Sequence, residues 1–268
     1  MVISGRHKGN DNAAIIMSTI WDRFSPPQAR TEHRDFLLKI AREEAKNRGI
    51  KIFDAALGTA LDAIPLIKAG FDVTGNEADE NYLKAAMHKL KKGRIRMDVV
   101  SFDWLGLDKY KPNNLFDIVL CVGNNICYLF GREAQRRAVG NFFRLVKKGG
   151  ILVIDERNFQ FLLDHREEIL SRKEKTISEH KGLSRHILYG GKTYYPYPVA
   201  ISEELVDMGL WKGGLPKPIS HFYFYPFKEG ELQKLLEEFF DRKKIEVYSD
   251  YERGRKRGAG FYQYVCRK

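Results

Sequence analysis

Between residues 51 and 156 the chain alternates short apolar runs with amphipathic ones, and this alternation constrains the fold more than any other feature. The runs KIFDAA (51–56), FDVTGNE (71–77), RIRMDVVS (94–101), FDIVLCVG (116–123) and GILVIDE (150–156) have the length and composition of strands. Helical spacing fills 60–69, 79–91 and 132–146 between them. Strands separated by helices pair in parallel through crossovers, which gives an α/β fold. FDIVLCV and ILVI are apolar throughout, as expected of strands covered by helices on both faces. A helix over 31–49 precedes the first strand, with Phe36, Leu37, Ile40 and Ala41 as its apolar face and Gly49 as its stop. Past residue 156 the pattern changes: a helical FQFLLDHREEILSR is followed by the aromatic, β-like HILYGGKTYYPYPVAIS and HFYFYPF. This reads as an insertion packed over the sheet. KEGELQKLLEEFF (228–240) is an amphipathic helix, and KIEVYSD and GFYQYVCRK form a closing antiparallel pair whose hairpin carries ERGRKRG.

With 268 residues and 43% hydrophobic content there is ample material for a core. No stretch approaches the roughly 20 apolar residues of a membrane span, and the N-terminus lacks a signal-peptide pattern. Three cysteines, Cys121, Cys127 and Cys266, argue against a disulfide scaffold and fit a reducing compartment. No Cys/His spacing suits zinc. The expectation is a cytoplasmic protein with no membrane partner and no structural metal. A formal charge of +11 admits a solvated basic surface or an anionic partner such as RNA. The cations are spread along the chain, and RGRKRG (253–258) is the one dense cluster, so nucleic acid is not the favoured partner.

In a doubly wound sheet, ligands bind at the carboxyl ends of the strands. There DAALGTA places Ala55, Ala56, Gly58, Thr59 and Ala60 in the first β-to-α turn, where small residues let a ligand approach the backbone. Only one glycine stands in this turn, so the three-glycine dinucleotide fingerprint is absent. Glu77 closes the second strand with Ala78 beside it, positioned for both hydroxyls of a ribose. Pro65 in the following helix implies a kink or a late start. Asp54 is read as fixing the strand–loop geometry, and Cys121 and Cys127 as buried packing residues.

DAALGTA resembles motif I of the class I S-adenosylmethionine-dependent methyltransferases, with Ala60 where a glycine is usual. FDIVLCVGNNICYLFG and RLVKKGGILVIDERNFQFLLD resemble the segments at the fourth and after the fifth strand of glycine and glycine/sarcosine N-methyltransferases. ARTEHRDFLLKI, WDRF, FDWLGLDK, FYFYPFKEGELQKLL and YSDY resemble the same family, which extends the likeness over roughly residues 20 to 265, weakest between 160 and 218. The resemblance implies a Rossmann-like class I methyltransferase fold, a mostly parallel seven-stranded sheet with a β-rich lid inserted after the fifth strand. Residues 1–30 would form an N-terminal arm, 31–156 and 221–268 the S-adenosylmethionine-binding domain, and 157–220 the substrate lid.

The same resemblance implies site roles. Arg30 would bind the carboxylate of the cofactor's methionine end. Glu77 would hold the ribose. Asp103 would accept from the adenine amino group, with Trp104 donating a backbone N–H or packing on the ring. Trp21 would cover the cofactor, and Val122 and Gly123 would line it. Arg157 would clamp the carboxylate of an amino-acid acceptor, or else pair with Asp155 or Glu156, and Asn124 would hold the acceptor's amino group. Hydroxyls of Tyr194, Tyr195 or Tyr225 would stabilise the charge shift around the transferred methyl. Tyr194, Tyr195, Tyr197, Phe222, Tyr223, Phe224 and Tyr225 form either an aromatic cage or a lid core, the second being favoured. Departures from the family are Asn125 and Tyr128 in GNNICY, and Phe24 where a Tyr stands in the arm. The expected activity is methylation of glycine, sarcosine or dimethylglycine at nitrogen. Another small-molecule acceptor, or an RNA- or protein-directed enzyme using the basic hairpin, is the alternative. The oligomeric state is left open, a homo-oligomer included.

Overall fold

The computed structural model describes residues 18–20, 23, 27–172, 187–213 and 215–268. Helix α1 (Pro27–Ala45) starts earlier than its apolar spacing requires. It also ends earlier, because Lys46 and Asn47 turn to φ +43° and +66° ahead of Gly49. Phe36, Leu37, Ile40 and Ala41 are all buried, as expected. Then follow β1 (Lys51–Asp54), α2 (Ala63–Lys68), β2 (Asp72–Asn76), α3 (Glu80–Lys92), β3 (Asp98–Val100), β4 (Phe116–Cys121), α4 (Arg132–Leu145) and β5 (Val146–Arg157). Pro65 sits in the first turn of α2, where its missing N–H costs nothing, so the late start is the one realised. Asp79 caps α3 by accepting from Asn81 N (2.8 Å) and Tyr82 N (3.2 Å).

Strands β3, β2, β1, β4 and β5 lie side by side in that order, all parallel. Every residue of β4, the central strand, is buried. The sheet continues antiparallel through β12 (Phe261–Arg267), β10 (Ile245–Ser249) and β11 (Glu252–Arg253). It therefore has eight strands among the described residues, one more than expected. The extra strand is a two-residue hairpin arm formed where Asp250 and Tyr251, at φ +47° and +70°, reverse the chain. Helix α7 (Glu231–Leu236) covers only the middle of the helical stretch read at 228–240.

Two short helices, α5 (Gln160–Asp164) and α6 (Arg166–Ser171), lead into a second sheet. Strands β6 (Ile187–Tyr189), β7 (Lys192–Ile201), β8 (Val206–Lys212) and β9 (Ser220–Phe224) are antiparallel in sequence order. This is the inserted β-rich unit, and its sheet runs on to Phe224. It meets the main sheet where Phe224 packs on Tyr128 (ring centroids 5.1 Å) and on Phe159 (6.1 Å). No helix among the described residues is long and apolar enough to cross a membrane.

Strand alternation sorts the β5 side chains. Val153 belongs to the core under α1, while Leu152 and Ile154 belong to the core on the other face. By the two-residue period, Asp155 and Arg157 follow Val153 toward α1, and Glu156 points the opposite way.

Candidate active site

The turn after β1 is held from three directions. Ala55 N donates to Leu120 O (2.8 Å) on β4, and Leu57 N to Asn76 O (3.0 Å) on β2. The Asn76 amide donates to Ala55 O (3.2 Å) and Phe102 O (3.0 Å) and accepts from Phe102 N (2.9 Å). Gly58 takes φ +55° at the apex, a conformation glycine adopts without strain. Its N–H donates to Glu77 Oε2 (2.8 Å), while Glu77 Oε1 accepts from Asp79 N (2.9 Å). Glu77 is thus pinned between the turn and the start of α3. A carboxylate oxygen accepts more than one hydrogen bond, so this pinning leaves a ribose-binding role intact. Ala56 and Gly58 are half-buried, Thr59 is buried and Ala78 is exposed at the rim.

Ala60 explains why glycine is usual at its position. Its φ is +63°, so the constraint is backbone handedness rather than space. A left-handed L-residue costs roughly 1–2 kcal/mol, offset in part by about 0.8 kcal/mol from burying the methyl group, which is fully buried here.

Across the crevice, the β4-to-α4 loop begins with Gly123 at φ +84° and Asn124 at φ +61°. Asp155 holds both: its Oδ2 accepts from Gly123 N (3.0 Å) and its Oδ1 from Asn124 N (2.6 Å). Asn124 Oδ1 in turn accepts from Arg157 N (2.9 Å). A backbone N–H fixes that atom as the oxygen, so the side chain offers its NH₂ to the crevice. An NH₂ donates, so it can meet the lone pair of a free amine as well as a carboxylate or carbonyl oxygen. Val122 is buried behind the loop.

Arg157 closes β5. Its guanidinium lies 5.2 Å from the Phe261 ring centroid, and no carboxylate pairs with it among the described residues. Neither alternative partner is available: Asp155 is committed to the loop, and Glu156 Oε1 accepts from Tyr264 Oη (2.6 Å) on the other face. Burial disfavours the guanidinium charge and draws its pKa down.

Behind the crevice, His33 Nε2 lies 3.2 Å from Asp62 Oδ1. Burial opposes the imidazolium charge, but Asp62 outweighs it and the His33 pKa rises to about 9. Burial, with Asp62 nearby, pushes Asp54 up to about 7, and burial raises Asp155 as well. Asp54 Oδ1 also accepts from Ala56 N (3.1 Å), the geometric role expected of it.

Other expected site residues are placed differently. The Trp104 indole Nε1 donates to Ala55 O (2.7 Å) and the ring meets Phe142 edge-on at 5.7 Å, so this side chain braces motif I from inside. Asp103 Oδ1 caps the turn at Leu105 N (2.7 Å), and the residue is exposed at the rim. Tyr225 donates its hydroxyl to Glu231 Oε1 (2.6 Å) and its N–H to Cys127 O (2.7 Å). Burial and the Glu231 carboxylate raise the Tyr225 phenol to about 12. Tyr195 and Tyr197 are buried in the main core, and Tyr194 and Phe222 pack with Ile20 and Leu210, which is the lid-core arrangement. Arg30 is half-buried on α1, one turn before His33. Trp21 and Phe24 lie outside the described residues.

Sequence reading passed over Asn76, His33, Asp62 and the loop-holding role of Asp155. The signal for Asp155 was its place two residues before Arg157 on the same strand face. Three of the four cations of the basic hairpin are tied down: Arg253 to Glu246 (3.2 Å), Lys256 to Glu252, and Arg255 to Gln233 Oε1 (2.9 Å) while lying over the Tyr262 ring (4.6 Å).

The donor set decides which ligand suits the turn. Buried acidic residues hold both sides, Asp54 and Glu77 the turn and Asp155 the facing loop, a lining that suits a cationic sulfonium and ammonium better than a pyrophosphate. A family of methyltransferase domains matches residues 52–150. A glycine/sarcosine N-methyltransferase of Aphanothece halophytica is 30% identical over 256 residues, covering 92% of this chain and 86% of the relative. Glycine N-methyltransferase of Rattus norvegicus is 35% identical over 159 residues, 54% of this chain and 52% of that protein. An S-adenosylmethionine-dependent methyltransferase structure from Clostridium acetobutylicum shares the fold, with TM-score 0.67 at 14% identity over 96% of this chain and 98% of the other. Sheet, insertion and site define an S-adenosylmethionine-dependent methyltransferase. Within that class, the chain belongs to the family of glycine and glycine/sarcosine N-methyltransferases.

Proposed function

We propose that the protein transfers a methyl group from S-adenosylmethionine to the amine of a small amino acid: glycine, sarcosine or dimethylglycine. The observation that carries this reading is the Arg157 guanidinium, buried over the Phe261 ring at the carboxyl end of β5 with no carboxylate partner among the described residues. Such a cation suits a ligand carboxylate, and the NH₂ of Asn124 points to the same need. The names of the relatives agree with an amino-acid acceptor.

The bound cofactor supplies an electrophilic methyl on a sulfonium. Glu77 and the Gly58 turn would hold its nucleoside, and Arg30 its methionine carboxylate. Arg157 and Asn124 would take both oxygens of the acceptor's carboxylate, which fixes where the amine can lie. That placement would aim the amine lone pair at the methyl, with the sulfonium supplying a neutral thioether as the leaving group. The acceptor enters as the free amine, its excess proton going to water. Catalysis on this reading is mainly alignment. The inserted unit within 157–220 serves as the substrate lid. The tied hairpin cations leave little reason for an RNA partner. A carboxylated acceptor outside that glycine series is the second reading, favoured by Tyr128, which is buried against Phe224 where the family has a His.

A carboxylate clamp makes acetate a competitive inhibitor against the amino acid, and makes glycinamide a failed substrate. Initial rates with glycine, with glycinamide and with added acetate check this. Glycinamide methylated as fast as glycine would remove the clamp.

A further inference from the structure

The turn between β10 and β11 holds Asp250 and Tyr251 consecutively in the left-handed region, at φ +47° and +70°. A bulky residue rarely takes this conformation, and it persists only when the surroundings enforce it. They do so here. Asp250 Oδ1 accepts from Phe261 N (2.9 Å), Asp250 Oδ2 from Gly260 N (2.9 Å), and Tyr251 N donates to Gln263 Oε1 (2.9 Å).

The register shows where this turn delivers its side chain. Ser249 pairs with Tyr262, and Tyr262 with Glu156, so the turn stands at the carboxyl edge of the sheet beside the end of β5. From there the Tyr251 ring reaches α1, meeting His33 edge-on at 5.6 Å and Phe36 at 5.6 Å. His33 is in turn paired with Asp62 at the start of α2. Burial raises the phenol pKa, and the charges of Asp155, Asp62, Asp250 and Glu32 raise it further. The phenol is therefore protonated at any working pH. Its ring is fixed, yet its hydroxyl makes no hydrogen bond to any described residue. A phenol oxygen set among carboxylates suits an ammonium group.

We propose that Tyr251 is a cofactor-binding residue, its hydroxyl accepting from the α-amino group of the cofactor's amino-acid end beside Asp62 and Asp155. The inference rests on the cofactor lying against Glu77 and the Gly58 turn as proposed above. The strained turn is then the device that holds the tyrosine in place.

Isothermal titration calorimetry with two ligands tests this in the absence of turnover. S-adenosylhomocysteine carries the amino-acid end, and 5′-methylthioadenosine lacks it. Tyr251→Phe is expected to weaken S-adenosylhomocysteine about tenfold, as loss of a hydrogen bond to a charged group does, and to leave methylthioadenosine unchanged. Equal weakening of both ligands, or of neither, overturns the assignment, and a thermal melt confirms that the variant is folded. Glu77→Gln separates the two levels. It weakens both ligands if the nucleoside placement holds, and leaving both unchanged would refute that placement independently of Tyr251.

Discussion

Arg157→Ala is expected to lower kcat/KM for the amino-acid acceptor by about 10²–10³-fold while leaving the dissociation constant for S-adenosylmethionine within about threefold. Truncating one member of a desolvated charge pair costs about 2–5 kcal/mol, and each 1.36 kcal/mol is tenfold in rate. The cofactor is largely insulated from the change because its nucleoside contacts, Glu77 and the Gly58 turn, lie at the ends of β1 and β2, and Arg157 is none of the residues proposed for its amino-acid end. Stability is expected to move the other way. An uncompensated buried guanidinium weakens the fold without ligand, so the variant should melt at the same temperature as the parent or higher. Arg157→Lys should fail nearly as badly, since a point charge does not reproduce a planar fork. Parallel steady-state kinetics, calorimetry and melts separate these effects. Wild-type turnover in Arg157→Ala would remove the clamp from the account.

The second large effect is on stability against pH. Glu156 lies on the sheet face opposite Arg157, with Oε1 accepting from Tyr264 and Oε2 buried without a partner. Burial pushes its pKa up to about 8 from the usual 4.5. The folded state therefore holds this proton more tightly than the unfolded chain. Its stabilising contribution is complete below about pH 4.5 and is lost progressively as pH rises to about 8, at about 1.4 kcal/mol per unit, on the order of 5 kcal/mol in all. Asp54, pushed up to about 7, adds a loss of the same sign. Glu156→Gln keeps an acceptor for Tyr264 and cannot ionise. Urea unfolding of both proteins from pH 5 to pH 9 should show the variant gaining on the parent up to about pH 8, then a constant gap. Parallel curves would mean that Glu156 is charged in the fold at neutral pH.

The sheet was legible because its information is local. Apolar runs bounded by turn residues mark strands, and the fully buried β4 announced itself as FDIVLC. The site was legible only where one residue type admits one role. Gly58 does stand in the turn after β1 and Glu77 just past the end of β2, where they meet. Residues whose role depends on which atom a distant backbone group occupies were not legible. Asn124 is the clearest case, since Arg157 N decides which end of its amide is offered. Trp104 and Tyr225 are others, each committed by an acceptor outside its own segment: Ala55 O for the first and Glu231 for the second. Ala60 was judged by volume when φ was the operative variable. The eighth strand was invisible because two residues have no period.

The most direct measurement is product identification. The purified protein is incubated with methyl-labelled S-adenosylmethionine and, in separate reactions, glycine, sarcosine, dimethylglycine and RNA, and the labelled products are identified by mass spectrometry. The account predicts label on the nitrogen of at least one of the amino acids and none on RNA. Label on RNA, or cofactor binding with no transfer to any of the amino acids, would contradict it.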